Sequence, residues 1–365
     1  MKLLFVYSFA PSGHASAAKA LETRARALGH ETRCLNISND YHKILGPAIN
    51  NVYLALIQSF PNLWSAMHDS EDAAEILSNW REVYHLFEGG RLRETVAELK
   101  PDRIVCTHAG PFAALTLSKE KGDVAAKLAG VLTDFQPHPY WAVPGADLYV
   151  TATSAGAETL IHRGIPRARV VDAGIPIHPI FDAPVDRDAA RRELGLPADG
   201  PVLLVTGGSR GLGRVAEAVE TLLPAFPQAR LIVVCGANDG LYERLRARFT
   251  AEKRLMLRAV IEADEMKRLM SSADLMIGKA GGLTSAECLA VGLPLVVLDP
   301  IAGQEQANSD FLQKAGAAVQ AGEPEGLAAV VAPLLEPRRL AQLRQAARDL
   351  GRPDAGRRIL DAILA

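Results

Sequence analysis

Short apolar runs alternate with Ala-rich and amphipathic stretches along most of this chain. The first run, Leu3-Leu4-Phe5-Val6, leads into "YSFAPSGHASAA" at 7–18 and then an Ala-rich stretch. Apolar runs of that length bounded by turn residues read as buried strands, and the longer stretches between them as helices. In the first half the pattern predicts strands at 2–8, 31–37, 103–108, 127–133, 147–152 and 169–173, with helices at 14–28, 91–99, 111–120 and 154–163. The proline-rich "PIHPIFDAP" at 176–184 interrupts the series and reads as a linker. A second series follows, with strands predicted at 201–206, 230–235, 254–259, 274–278 and 294–298, and helices at 211–223, 238–249, 262–271, 282–291 and 304–315. The Arg-, Leu- and Ala-rich tail, about 324–364, predicts two or three closing helices. Its arginines suit a solvated helix face, with a membrane-facing surface as the alternative. Strict strand–helix alternation implies parallel sheets covered on both faces, hence an α/β chain of two doubly wound domains. The boundaries expected are 1–180, 181–340 and a closing helical segment 341–365. In each domain a ligand is expected outside the carboxyl ends of the strands.

Residues 40–90 depart from the alternation. "HKILGPAINNVYLALIQSFPNLWSAMHD" is too polar and too broken by proline to span a bilayer. Two readings stay open. It is an inserted helical subdomain whose apolar face, Trp64 included, meets lipid at the interface, or those residues pack on their own domain.

Length and composition narrow the classes. A chain of 365 residues exceeds one comfortable core, and 48% apolar with 22% charged residues is globular composition. The net charge of −2 argues against a nucleic-acid binder held by broad positive charge. The four cysteines lie far apart in apolar runs without a CxxC pair, as expected of reduced packing cysteines in a cytoplasmic protein. The N-terminus resembles a signal peptide only superficially, because its apolar run turns polar and starts the strand–helix series.

Three stretches carry candidate chemistry. "VTGGSRGLG" at 205–213 follows a predicted strand; Gly207 and Gly208 allow close backbone approach to a ligand, and Ser209 adds a hydroxyl. Many strand–helix turns look the same without binding anything. "GKAGGLTSAECLAVGLPLVVLDP" at 278–300 puts a Gly281-Gly282-Leu283-Thr284 turn before a helix, with Glu287 about one turn in. A carboxylate there accepts two hydrogen bonds from a ribose diol while helix-start amides face phosphate; alternatively it only complements the helix dipole. "PIAGQEQANSDF" at 300–311 places Gln304, Glu305 and Asn308 at the next helix start, with Gln304 and Asn308 at i, i+4. Such side chains suit sugar hydroxyls, or else ordinary capping. The first turn, around Gly13 and His14, is likewise either a ligand site or a plain turn.

The order of a GG(S) turn, "KAGGLTSAE" and "PIAGQEQAN" resembles the donor half of the glycosyltransferases that make monogalactosyldiacylglycerol and processive glucosyl-diacylglycerols. These are related to the peptidoglycan enzyme that adds N-acetylglucosamine to a lipid carrier. "GHASAA", "NLW" at 62–64, "KPDRIVCTH" at 100–108, "VLTDFQPHPYW" at 131–141 and "GIPIHPIF" at 174–181 extend the resemblance over roughly 1–320. It implies a GT-B fold, two Rossmann-like domains facing each other across a cleft. It also implies an inverting glycosyltransferase that moves a hexose from UDP-glucose or UDP-galactose to diacylglycerol or a glycosyl-diacylglycerol. It implies no cofactor and no active-site metal, and action at a membrane surface, peripheral on the inner face of the cell membrane. Glu287 matches the ribose-binding glutamate. Gly207–Ser209 and Gly281–Thr284 match positions near the diphosphate, Gln304 and Glu305 match residues facing the sugar, and Val260 and Ile261 match the backbone that holds uracil. His14 matches the histidine of a "GxGH" motif and is the candidate base, with Asp134 as the other candidate and His108 less supported. Gly13, His138, Trp141 and Trp64 are candidates for the acceptor path. Fixed helix-start dipoles stabilise a leaving diphosphate without a metal. Pro11, Ser12 and Ala15 depart from the family, which usually has more glycine before its histidine and often Arg after it. A polyprenyl-linked or soluble acceptor, nucleotide-sugar epimerisation, and a nucleotide-sugar sensor without catalysis are the alternatives.

Overall fold

A computed structural model describes residues 1–41 and 73–365; the segment containing Trp64 lies outside the described residues. The chain divides into two compact units. The first comprises Met1–Pro179, Ala302–Gln304 and Asp354–Ala365, and the second Ile180–Ile301 and Glu305–Pro353.

The first unit runs β1 (Lys2–Tyr7), α1 (Gly13–Ala27), β2 (Glu31–Asn36), α2 (Ile37–Tyr41), α3 (Ala73–Leu99), β3 (Arg103–Cys106), α4 (Ala109–Glu120), β4 (Lys127–Val131), β5 (Leu148–Thr151), α5 (Ser154–His162) and β6 (Val170–Asp172). Its strands form one parallel sheet in the order β2-β1-β3-β4-β5-β6. Side chains alternate across a strand, and β1 shows how both faces fill. Leu3, Phe5 and Tyr7 enter one core with Ala18, Leu21 and Ala25 of α1, while Leu4 and Val6 enter another with Phe112, Leu128 and Tyr149. That is why β1 reads as a continuous apolar run rather than an alternating one.

The second unit contains α6 (Arg187–Glu193), β7 (Val202–Thr206), α7 (Val215–Ala225), β8 (Arg230–Val234), α8 (Asp239–Arg248), β9 (Leu255–Arg258), α9 (Ala263–Ser272), β10 (Leu275–Gly278), α10 (Gly282–Val291), β11 (Leu295–Leu298), α11 (Gln304–Lys314), β12 (Ala318–Gly322), α12 (Leu327–Leu334) and α13 (Pro337–Leu350). Its parallel sheet has the order β12-β11-β10-β7-β8-β9. At the amino end of β10, the buried Asp274 carboxylate accepts hydrogen bonds from Arg187, Arg191, Arg344 and the Val202 amide. Removing one partner of so buried an ion cluster costs about 3–5 kcal/mol. The last helix, α14 (Ala355–Leu364), returns to the first unit, where Ile359, Leu360 and Ile363 join the β1–α1 core. The closing segment 341–365 is therefore shared, with α13 in the second unit and α14 in the first.

Five elements differ from the pattern-based reading, the first being α2, a five-residue helix at Ile37–Tyr41 where the pattern predicts only strand up to 37. β12 was not predicted, because "AVQAG" is short, small and only partly buried at a sheet edge. α6, seven residues of mostly charged side chains, was not predicted either. α7 begins at Val215 rather than 211, because Gly211 and Gly213 are left-handed, with φ 59° and 90°. α3 extends far beyond the predicted 91–99, running through Gly89-Gly90, which weaken a helix without ending it. Among the cysteines, Cys106, Cys235 and Cys288 are buried as expected, whereas Cys34 is only partly buried.

Candidate active site

Each sheet has one point where neighbouring strands leave the centre in opposite directions, and loops part there to make room for a ligand. In the first unit this point lies between β1 and β3, and in the second between β7 and β10.

The first switch point gathers imidazoles. After β1 the loop closes on itself: Ser12 caps α1, accepting the Ala15 amide at 3.2 Å and donating to the Phe9 carbonyl at 2.8 Å. The Phe9 amide donates to Ser38. "YSFAPSGHASAA" is thus a side-chain-capped turn rather than an open amide cradle, and Gly13 is the first residue of α1. His14 follows, on the first turn. Its Nδ1 lies 2.7 Å from the Thr107 carbonyl and 3.0 Å from Thr133 Oγ1. The Thr107 hydroxyl donates back to the His14 carbonyl at 2.8 Å. A carbonyl only accepts, so Nδ1 carries the proton and Nε2 keeps its lone pair. Burial lowers the His14 pKa, opposed by the Asp134 carboxylate and the Thr107 hydrogen bond. Asp134 sits in the loop after β4 rather than at the strand end. His108 meets His14 edge-on, with ring centroids 4.7 Å apart. Its Nδ1 accepts the Gly110 amide at the start of α4, and burial with His14 nearby holds its pKa well below the ordinary value.

Two acceptor-path candidates move. His138 is 6% exposed, and its Nδ1 accepts the Tyr140 amide, capping the turn 139–141. Trp141 is 3% exposed and packs on Phe112 with ring centroids 5.3 Å apart. Its indole fills core instead of lining open surface. Their place in a loop after a strand is readable from local pattern, whereas the depth at which the loop packs is not.

The second switch point is built of glycine backbone. Thr206 ends β7 beside Gly278 of β10, and a Cβ on Gly278 would lie 2.2 Å from the Thr206 carbonyl oxygen. Gly207 is equally constrained, its Cβ position 2.3 Å from the Leu212 carbonyl oxygen. Gly208 is left-handed at φ 72° and its amide is taken by Thr206 Oγ1, so this turn offers fewer free donors than its glycines suggest. Ser209 stands exposed in the short turn Gly208–Arg210.

Past β10, Gly281 is the N-cap of α10 and supplies no side-chain cap. Nothing lies within 4 Å of where its Cβ would be. The amides of Gly282, Leu283 and Thr284 begin the helix, and helix-start amides lack intrahelical partners. Glu287 follows one turn on; burial pushes its carboxyl up to about 7. Asn308 is fully buried and donates to the Ala280 carbonyl at 3.0 Å, so it braces this turn rather than meeting a ligand directly. Glu305 Oε2 accepts the Ile301 amide at 2.8 Å, capping its own helix start, and lies 3.5 Å from Lys279 Nζ. Gln304 opens α11. After β9, Val260 is 68% exposed and Ile261 partly so. Lys279 is the residue that sequence reading passed over, although it stands inside "KAGGLTSAE". Among the described residues, no group of three His, Cys, Asp or Glu is arranged for a metal ion, and no helix is long and apolar enough to cross a membrane.

The comparisons agree with this division. Residues 14–177 match the family described as monogalactosyldiacylglycerol (MGDG) synthase, and 202–357 match the glycosyltransferase family 28 C-terminal domain. A processive diacylglycerol beta-glucosyltransferase of Bacillus cereus (strain G9842) is 28% identical over 371 residues, covering 100% of this chain and 93% of the relative. In solved structures, Acinetobacter baumannii MurG superposes with TM-score 0.65 at 19% identity, covering 100% of this chain and 99% of MurG. The S. aureus MnaA–UDP structure superposes with TM-score 0.66 at 17% identity, covering 99% of this chain and 95% of the neighbour. The fold is GT-B.

Proposed function

From these similarities to monogalactosyldiacylglycerol synthases, family 28 glycosyltransferases and a processive diacylglycerol beta-glucosyltransferase, we propose that the chain moves a hexose from UDP-glucose or UDP-galactose to diacylglycerol or a glycosyl-diacylglycerol, inverting the anomeric carbon. The reaction takes place at a membrane surface, peripheral on the inner face of the cell membrane, with no cofactor and no metal. The observation that carries the reading is the side-chain-free cap of α10 with Glu287 one turn inside it. Amides at Gly282, Leu283 and Thr284 suit a diphosphate, and Glu287, once ionised, accepts both ribose hydroxyls.

The chemistry divides between the switch points. The acceptor oxygen forms a bond to the anomeric carbon as that carbon's bond to the diphosphate oxygen breaks. The acceptor proton passes to His14 Nε2, the lone pair left by the Nδ1–H bond to Thr107. The charge on the departing UDP meets fixed amide dipoles that need no reorganisation. Asp134 favours the imidazolium that forms. Val260 and Ile261 serve the uracil and Gln304 the hexose.

Purified protein incubated with labelled UDP-glucose or UDP-galactose and diacylglycerol vesicles is expected to yield labelled glycolipid. No glycolipid from either donor overturns the reading. Transfer to a polyprenyl-linked acceptor instead would keep the donor half and replace the acceptor.

A further inference from the structure

The glycine-built switch point also carries a mostly buried cation. Lys279 directly follows β10 and precedes the Gly281 cap. Its side chain is 14% exposed and pairs with Glu305, itself 21% exposed, at 3.5 Å. The stem is seated over the β7 loop: a Cβ on Gly213 would lie 2.9 Å from Lys279 Cε. Gly213 is left-handed at φ 90°, so both its backbone and its missing side chain make room for this lysine. Glu305 is anchored independently by the Ile301 amide. The lysine therefore has a fixed base, a long stem and, among the described residues, the Glu305 carboxylate at its head, beside a helix start without a side-chain cap.

We propose that Lys279 exchanges partners during the donor cycle. In the ligand-free protein its ammonium is held by Glu305, and in the donor complex by the diphosphate. The exchange rests on the reading of this switch point as a nucleotide-sugar site. It follows from charge: a diphosphate carries more negative charge than one carboxylate and offers several acceptor oxygens to the three donors of an ammonium. With Lys279 turned to the diphosphate, the Glu305 carboxylate accepts a hydroxyl of the bound hexose. Lys279 then supplies mobile positive charge to the leaving group, beside the fixed dipoles of α10.

The test is titration of wild type, Lys279→Gln, Lys279→Arg and Glu305→Gln with UDP and with uridine. Lys279→Gln is expected to weaken UDP roughly 10- to 100-fold, the range for a lost charge-assisted hydrogen bond, and to leave uridine unchanged. Lys279→Arg keeps much of the UDP affinity. Glu305→Gln still accepts the Ile301 amide but no longer competes for the ammonium, so it binds UDP several-fold tighter while transferring hexose more slowly. This opposite sign separates an exchange from a static phosphate contact. UDP affinity unchanged in Lys279→Gln, or unchanged or weakened in Glu305→Gln, overturns the exchange and leaves the donor site standing. Wild-type protein that binds uridine and UDP equally overturns the exchange and the diphosphate site together.

Discussion

The two switch points occupy equivalent places in two similar sheets and are built from opposite materials. Between β1 and β3 the loops carry side chains: His14, His108, Thr107, Thr133 and a serine cap, joined by hydrogen bonds that fix a tautomer. Between β7 and β10 the turns are dominated by glycine, with Ser209, Arg210 and Lys279 among them, and glycines at 207 and 278 let backbone approach backbone at distances a Cβ would forbid. One arrangement positions a proton acceptor; the other exposes main-chain donors. The same topology therefore carries two kinds of construction, one bonded through side chains and one built largely of glycine backbone.

The sharpest way to break this contrast is His14→Ala. Transfer is expected to fall ~10²- to 10⁴-fold, the range of a general base, with UDP affinity retained. Isothermal titration beside a glycolipid assay checks both halves, and loss of UDP binding would show that the two points do not divide the work. Glu287→Gln acts in the other direction, weakening UDP roughly 10- to 100-fold. It also carries a stability signature. The Glu287 carboxyl is raised to about 7, so the folded chain retains a proton that the unfolded chain releases at its ordinary, lower pKa. Wild-type stability is undiminished below that lower value and falls as pH rises through the raised one. Glu287→Gln should remove this loss, giving a higher melting temperature above neutral pH together with poorer UDP binding. In the wild type, UDP affinity should strengthen as the carboxyl ionises.

Gly278→Ala tests the close approach of β10 to β7 directly. Its methyl would meet the Thr206 carbonyl oxygen at 2.2 Å, and thermal unfolding should show a loss of about 1–3 kcal/mol. The smallest effect concerns the acid limb of transfer. Burial lowers the His14 pKa, so kcat at saturating donor, where Glu287 protonation no longer limits binding, should stay level as pH falls to the ordinary histidine range and decline only below it. An acid limb above that range would point to a different base.

Much of the fold was legible because it rests on local rules. Buried parallel strands read as apolar runs, and eleven of the twelve strands observed fall at predicted positions, as in "KLLFVY" and "RLIVV". β12 escaped because an edge strand needs little apolar surface. Within the site, glycines and Glu287 were legible because a turn followed by a helix constrains their places. Their partners were not. Asn308 was grouped with sugar-facing residues on the i, i+4 spacing it shares with Gln304, yet its amide is spent on Ala280. Trp141 was placed on an acceptor path and lies in the core. Lys279 was passed over because its significance is a contact with Glu305, twenty-six positions along the chain.

The sequence by itself determined the two α/β series, the glycine turns, and the family that their order resembles. Those features depend on periodicity and backbone freedom, which are properties of neighbouring residues. Only the tertiary structure decided how deep each loop packs, which amides are already used, and which ring nitrogen of His14 holds the proton. Thr107 selects that tautomer from ninety-three positions away. In "YSFAPSGHASAA" nothing local specifies it, because a hydrogen-bond partner is chosen by proximity in space, and proximity between β1 and β3 exists only after the sheet has formed.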